Sequence, residues 1–129
     1  MKRIAFILLA ASTVLTSCSS DDDNNNDAVG SSRTLKYEVT GNFTGTMFAS
    51  YTTADGMTNN DPITLPWNKE ITFEPTVTAA NIVLSGNGGA SGQQVTLIIR
   101  RDGRTINSPT TAIANNSGSF SKAAPVVVF

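Results

Sequence analysis

From Thr34 onward, apolar and polar residues alternate in short segments, a pattern typical of β-strands rather than helices. In Thr34–Gly41, for example, Leu35, Tyr37 and Val39 share one face, while Lys, Glu and Thr side chains occupy the other. The same reasoning predicts further strands at 45–53, 70–76, 80–85, 94–101, 104–111 and 119–129. No stretch has a convincing helical period of useful length.

Turn residues separate these segments and define the predicted fold. Asp102-Gly103 joins two β segments, and this dipeptide favours a tight hairpin in which both residues adopt positive φ. About seven short antiparallel strands with turns at this spacing predict an all-β fold, an immunoglobulin-like β-sandwich. A small closed barrel is the alternative.

The first 18 residues have the pattern of a bacterial lipoprotein signal. Lys2 and Arg3 precede an apolar run, which ends in Leu15-Thr16-Ser17-Cys18, a lipobox. The run is too short to span a bilayer as a helix. We therefore predict that residues 1–17 are removed and that Cys18 is lipidated; an uncleaved anchor or an ordinary signal peptide are the alternatives. Stable anchoring needs more than one acyl chain, as lipobox cysteines typically carry.

Residues 19–33 are Ser, Asp, Asn and Gly apart from Ala28, Val29 and Arg33, so they cannot bury an apolar face. We predict a lipidated, disordered acidic stalk over 18–33 and a β-sandwich domain over 34–129. The cluster Asp21-Asp22-Asp23 lacks the Gly turn and the distant Glu of an EF-hand calcium loop. A solvated stalk or export tag is therefore the favoured interpretation of this cluster.

Composition restricts the chemistry that is open to this chain. It contains no His, and Cys18 is its only cysteine. Catalytic triads, Cys-His pairs and typical zinc sites are therefore excluded, and we predict a non-enzymatic protein without a cofactor or metal. Once Lys2 and Arg3 leave with the signal, seven basic residues remain against ten acidic ones. No basic patch indicates nucleic-acid binding.

Three side chains are candidates for contact with a ligand or partner. Trp67, the only tryptophan, can stack on a sugar or anchor a protein, although a lone Trp more often fills a core. One predicted hairpin contains Arg101 and Arg104 together with Arg100, and these side chains could bind a phosphate or carboxylate. The alternative for these arginines is a soluble hairpin tip, because Asp102 lies between them.

The segment Cys18-Ser19-Ser20-Asp21-Asp22-Asp23 resembles Gram-negative lipoproteins in which acidic residues after the cysteine promote display at the cell surface. Ser19 directly after the cysteine also fits sorting to the outer membrane. The resemblance implies an outer-membrane lipoprotein exposed at the surface, with a periplasm-facing orientation as the alternative.

The domain resembles the MmpS family of small transport accessory proteins. Three segments carry the resemblance: Tyr37-Glu38-Val39-Thr40-Gly41, Leu65-Pro66-Trp67 followed by Lys69, and Arg101-Asp102-Gly103. The family implies an immunoglobulin-like sandwich that works outside the membrane beside an RND-type lipid or siderophore exporter. Family members usually hold a transmembrane helix and many carry a cysteine pair in the domain; this chain has a lipobox and no pair.

These observations predict a membrane-anchored, non-catalytic envelope binding or accessory module, which assists transport through an envelope protein or transporter partner. A sheet edge or the exposed loops would provide the contact surface. The alternative is a carbohydrate- or matrix-binding surface lipoprotein that uses Trp67 and polar loop residues to hold a glycan.

Overall fold

A computed structural model of the protein describes residues 32–129. Cys18, the predicted signal peptide and most of the predicted stalk lie outside the described residues. The strands are β1 (Thr34–Gly41), β2 (Thr46–Thr52), β3 (Thr58–Ile63), β4 (Trp67–Thr72), β5 (Ala79–Ala80), β6 (Ile82–Asn87), β7 (Gln94–Arg101), β8 (Arg104–Ile113), β9 (Phe120–Ala123) and β10 (Val127–Val128). Within residues 32–129, no helix is long and apolar enough to cross a membrane.

Two four-stranded antiparallel sheets make up the fold. The first has the strand order β4-β1-β7-β8 and the second β3-β2-β6-β9, while β5 and β10 form a short separate pair. The predicted fold class, an all-β immunoglobulin-like sandwich, is therefore confirmed as an antiparallel sandwich. Two separate sheets rule out the alternative of one closed barrel. The described part of the chain, residues 32–129, contains eight strands of four or more residues, rather than about seven.

The core lies between the sheets, and strand alternation explains which side chains enter it. In β1, Leu35, Tyr37 and Val39 are fully buried, as their spacing predicts. The other large side chains with less than 2% exposure are Tyr51, Ile82, Leu97 and Val95, which come from both sheets. Each such apolar side chain contributes about 1.5–3 kcal/mol relative to an exposed one.

The two ends of the sandwich differ. We call the two ends distal and basal. Gly41 pairs with Val95 and Thr46 pairs with Asn87, so the strands end side by side there. The loops that follow these strand ends form the distal end: 42–45, 64–66, 88–93 and 114–119. At the basal end lie Ser32, the turn 53–57, the hairpin turn 102–103 and the last residues of the chain. The polypeptide therefore enters the domain at the basal end.

Three strand predictions differ from the structure. Strand β3 was missed because its sequence, Thr-Asn-Asn-Asp-Pro-Ile, has a single apolar residue. The strand predicted at 70–76 lies instead at Trp67–Thr72 and ends before Pro75. The predicted final strand is divided into β9 and β10, because Ala124, Pro125 and Val126 leave the ladder.

Candidate functional site

The most chemically varied part of the domain lies where edge strands β3 and β4 face each other across the sandwich. We call this place the seam and define it by Tyr51, Asn59, Asp61, Trp67 and Lys69. Asn59 pairs directly with Tyr51, and Trp67 and Lys69 pair with the buried residues of β1. Because strand side chains alternate, all five project from the inner side of their strands.

A hydrogen-bond network holds three of the seam residues together. The Tyr51 hydroxyl donates to Oδ2 of Asp61 at 2.5 Å. Asn59 Nδ2 donates to the Tyr51 hydroxyl oxygen at 3.2 Å and to Asp61 Oδ1 at 2.9 Å. Tyr51 is only 1% exposed, so these bonds satisfy a phenol that would otherwise be costly to bury. They also fix the positions of both edge side chains.

Trp67 and Lys69 cover the ring of Tyr51. The Trp67 and Tyr51 ring centroids are 6.2 Å apart with an interplanar angle of 44°, and Lys69 Nζ lies 5.6 Å from the Tyr51 centroid. Trp67 is half-buried and packs against the core, so its main contacts are structural. In the described residues the ion pairs are Lys36–Glu38 and Arg100–Glu38, which leaves Lys69 without a carboxylate within 4.0 Å.

A groove of about 360 Å³ opens in the seam beside Lys69. Its apolar lining residues are Tyr51, Ala54 and Ile71, and its polar lining residues are Thr53, Asn59, Lys69, Glu70 and Thr72. Tyr51 and Ile71 are only 1% and 7% exposed, so these two side chains offer little apolar surface to a ligand.

The structure places Arg101 and Arg104, two of the candidate contact residues, in different surroundings. Arg101 Nε donates to the Ser32 carbonyl at 2.7 Å, and its guanidinium lies 5.0 Å from the Phe129 ring centroid. Arg100 donates instead to Glu38 at 3.0 Å, and Arg104 is exposed at the hairpin. The three guanidinium groups thus have different surroundings.

The structure also separates these arginines from Trp67. Arg101 pairs with Leu35 at the basal end of β1, whereas Trp67 pairs with Val39 four residues further along. Four residues of strand correspond to about 13 Å. The candidates named from the sequence therefore do not belong to one site.

Electrostatic effects in the described domain are modest and local. On the outer face of the first sheet, the hydrogen bond from Arg100 lowers the pKa of Glu38, and Lys36 contributes in the same direction. Burial raises the pKa of Tyr37 to about 12. Its hydroxyl has no hydrogen-bond partner among the described residues. No cluster of three or more potential metal ligands occurs in residues 32–129.

The distal end is a second candidate surface, and its loops are held together by side-chain amides. Gln93 Oε1 accepts hydrogen bonds from the backbone N–H groups of Thr44 (3.1 Å) and Ala90 (2.9 Å). Asn42 Oδ1 accepts from Gln94 N at 2.8 Å. Within the fourth loop, Asn115 Oδ1 accepts from the N–H groups two and four residues later. The bonds from Thr44 to Gln93 and from Gln94 to Asn42 connect segments that are distant in sequence, whereas those of Asn115 hold its own loop.

No charged side chain occurs in the distal loops 42–45, 64–66, 88–93 and 114–119. Beneath them, Phe43 and Phe120 meet edge to face with centroids 5.0 Å apart. Gly89 is needed there because a Cβ would lie 2.4 Å from the Phe43 ring. The distal end is therefore a neutral, polar surface on a packed aromatic support.

The segments that resemble the MmpS family meet in the first sheet. Val39 pairs with Trp67, and the Leu65-Pro66 peptide bond just before β4 is cis. Arg101-Asp102-Gly103 ends β7, which is the other neighbour of β1. The predicted Asp102-Gly103 turn is confirmed, since these residues have φ of 55° and 76°.

Gly41, which ends the segment Tyr37-Glu38-Val39-Thr40-Gly41, lies at a position that a residue with a Cβ cannot occupy without a clash. Its φ is +150°, and a Cβ there would lie 2.2 Å from the Gln94 carbonyl oxygen. Tyr37, from the same segment, is a fully buried core residue. These motif residues therefore have structural roles in this domain.

No protein-family model matches the chain, and no curated protein matches it significantly. The resemblance to the MmpS family stays a prediction.

Sequence reasoning missed Tyr51, Asn59 and Asp61 as site residues. Tyr51 lies within the predicted strand 45–53, but its partners lie on β3, which was not recognised as a strand. The alternation of Asn59 and Asp61 around Asn60 was the available signal, since residues two apart share a face of a strand.

Proposed function

We propose that the protein is a lipid-anchored, non-catalytic binding module of the bacterial envelope, which contacts a partner protein through its distal loops. One observation carries the proposal: the chain enters the domain at the basal end, and the opposite end presents the uncharged, cross-linked loop surface. Loops positioned by a rigid scaffold are the usual location of binding residues.

The neutral character of the distal end favours a protein contact. Burying a charged group costs far more than burying a hydrogen-bonding amide, and the centres of protein interfaces are depleted in charge. Because the loops are already held by internal hydrogen bonds, less conformational entropy is lost when a partner binds. The transporter of the resembled family is one partner that fits the proposal.

The sheet edges are less suited to this contact. Each has a feature that hinders pairing with another strand: Pro62 in β3, the inward Lys69 in β4, Pro109 in β8, and Lys122 in the four-residue β9. Strand β8 also has a register shift opposite Leu97 and Ile99. We therefore favour the loops over the edges.

The proposed location depends on acylation of Cys18 and on sorting to the outer membrane with surface display. The stalk that the composition predicts for residues 18–31 would reach roughly 20 Å as a random coil, which would keep the domain close to the membrane. In Cys18→Ser, the protein should move from the membrane fraction to the soluble fraction. Protease treatment of intact cells should remove the domain; survival of the domain in cells that make it would contradict surface display.

The partner contact can be tested with charged variants. The lipidated full chain is purified from detergent-solubilised envelopes with its bound proteins, as wild type and as the distal double variant Ser91→Arg/Asn116→Arg. The control is Thr76→Arg/Thr78→Arg, which adds the same charge at exposed basal positions. Loss of a specific partner in the distal variant alone supports the proposal. Capture of no envelope protein, or equal loss in both variants, would overturn it.

A carbohydrate-binding surface module is the second candidate function, and the polar lining of the groove in the seam is the observation that favours it. Trp67 alone does not support it, because this side chain packs mainly on the core.

A further inference from the structure

The short strands β5 and β10 cover the base of the core with one face and leave the other face outside. Val127 and Ala80 are paired and are 5% and 1% exposed, so their side chains belong to the core. Val126 and Val128, on either side of Val127, are 53% and 67% exposed, as expected from the alternation of side chains along a strand. The outer face at β10 therefore presents two aliphatic side chains.

A third exposed apolar side chain, Met57, lies at the same end of the domain. It is 66% exposed in the turn 53–57. This turn contacts the segment that leads into β5, because Glu74 N donates to the Ala54 carbonyl at 2.9 Å. Among residues 32–129, four large apolar side chains are exposed, and only Ile113 lies away from the basal end. Exposed apolar side chains are thus concentrated where the chain enters the domain.

The formal charges of the basal end cancel. Three arginines and three carboxylates lie there, on the turns and beside the last residue of the chain: Arg33, Arg101, Arg104, Asp55, Glu74 and Asp102. A strongly charged partner gains little attraction from a surface on which both signs are balanced. A zwitterionic lipid headgroup also carries one charge of each sign, so this surface suits a neutral lipid layer.

The place where the chain enters identifies the partner of this surface. Residues 18–31 join the basal end to Cys18, and as a random coil they would hold it within roughly 20 Å of the acyl chains. Such a tether gives the lipid surface an effective concentration of about millimolar, so a few apolar side chains suffice for docking. We propose that Met57, Val126 and Val128 insert into the lipid surface that holds the acyl chains. The proposal rests on the lipid anchor of the proposed function and adds that the distal loops point away from the membrane.

Fluorescent labels at two matched positions test the docking. Acylation of Cys18 would consume the only native thiol, so Val126→Cys or Ile113→Cys gives the lipidated full chain a single site for an NBD label. Both positions hold exposed β-branched residues, at 53% and 58%. In phosphatidylcholine vesicles that contain nitroxide-labelled phosphatidylcholine, we expect loss of fluorescence at position 126 and none at position 113. Equal quenching at both positions, or no quenching at 126, would overturn the proposal.

Val128→Asp separates insertion from proximity to the membrane, because a carboxylate opposes burial in lipid while the tether is unchanged. Added to Val126→Cys, it should abolish most of the quenching. Ile113→Asp, the same kind of change at the exposed aliphatic residue of β8, should leave the quenching at 126 as it was. Unaltered quenching in Val128→Asp would contradict the proposal. Equal thermal unfolding midpoints for the two Asp variants show that the difference does not come from unfolded protein.

The anchor and the docking fail in distinguishable ways. A chain without acyl groups would not float with the vesicles in a density gradient, which would contradict the anchor and the docking together. Protein that floats while its label at 126 stays unquenched contradicts the docking alone. A second copy covering the patch would shield this label from aqueous iodide without quenching by nitroxide lipid, and this result also overturns the proposal. Val128→Asp should leave capture of a partner by the distal loops unchanged.

Discussion

The guanidinium of Arg33 lies 4.6 Å from the centroid of the Phe129 ring, so a residue just before the first strand holds the last residue of the chain. Arg33 also donates hydrogen bonds to the carbonyls of Phe73 at 3.2 Å and Glu74 at 2.8 Å, and to that of Val77. The Phe129 ring in turn packs on Phe73 with centroids 5.1 Å apart. Arg33 was expected to end the stalk, but it is part of the basal end of the domain.

Replacing Arg33 by Ala should destabilise the domain by about 1–3 kcal/mol, because the change removes a cation–π contact and hydrogen bonds from a charged donor. Arg104→Ala is the control, since Arg104 is exposed at the hairpin, and it should change stability by less than about 0.5 kcal/mol. Urea unfolding of both variants measures the difference. Equal stabilities would show that the Arg33 contacts contribute nothing to folding.

The two tyrosines should respond differently to loss of their hydroxyls. Tyr51→Phe removes the donor to Asp61 and should cost about 1–2 kcal/mol. Tyr37→Phe removes a buried hydroxyl with no partner among the described residues, so stability should stay the same or rise by up to about 1 kcal/mol. Chemical unfolding of the pair tests this; a larger loss for Tyr37→Phe would indicate a partner for its hydroxyl.

Gly41→Ala should be much more damaging than Gly92→Ala. Both glycines have positive φ, at +150° and +87°, so both changes strain the backbone. A Cβ at Gly92 meets open space, whereas at Gly41 it lies 2.2 Å from the Gln94 carbonyl oxygen. The clash should cost roughly 1–3 kcal/mol more. Thermal unfolding of the two variants gives the comparison, and equal midpoints would contradict the close approach.

The free energy of unfolding should depend on pH through the carboxyl group of Glu38. The hydrogen bond from Arg100 lowers the pKa of Glu38 in the folded protein below its ordinary value of 4.5. The resulting stabilisation is present above pH 4.5 and is lost as the pH falls through the lowered pKa. Glu38→Gln should therefore be less stable than the wild type at pH 7, and the difference should shrink below pH 4.5. Unfolding midpoints across pH 2–7 test this, and a difference that stays constant would contradict it.

Strands with regularly spaced apolar residues were predicted accurately, whereas a strand without them was missed. In β1 and β7, apolar residues recur at every second, inward position, and both strands were predicted with the bounds observed. In β3, the inward positions hold Asn59 and Asp61, because this edge faces solvent and the polar network of Tyr51 instead of the apolar core. A hydrophobic pattern cannot reveal a strand whose inward side chains are polar.

The all-β class, the alternating faces of β1 and the Asp102-Gly103 turn follow from the amino-acid pattern, because each depends on residues that are neighbours along the chain. Contacts between distant residues follow from the packing of the folded domain. This packing places Lys69 over Tyr51, Arg33 over Phe129, and the uncharged loops opposite the point where the chain enters. These contacts depend on strand order and register, which are set by how two whole sheets pack together.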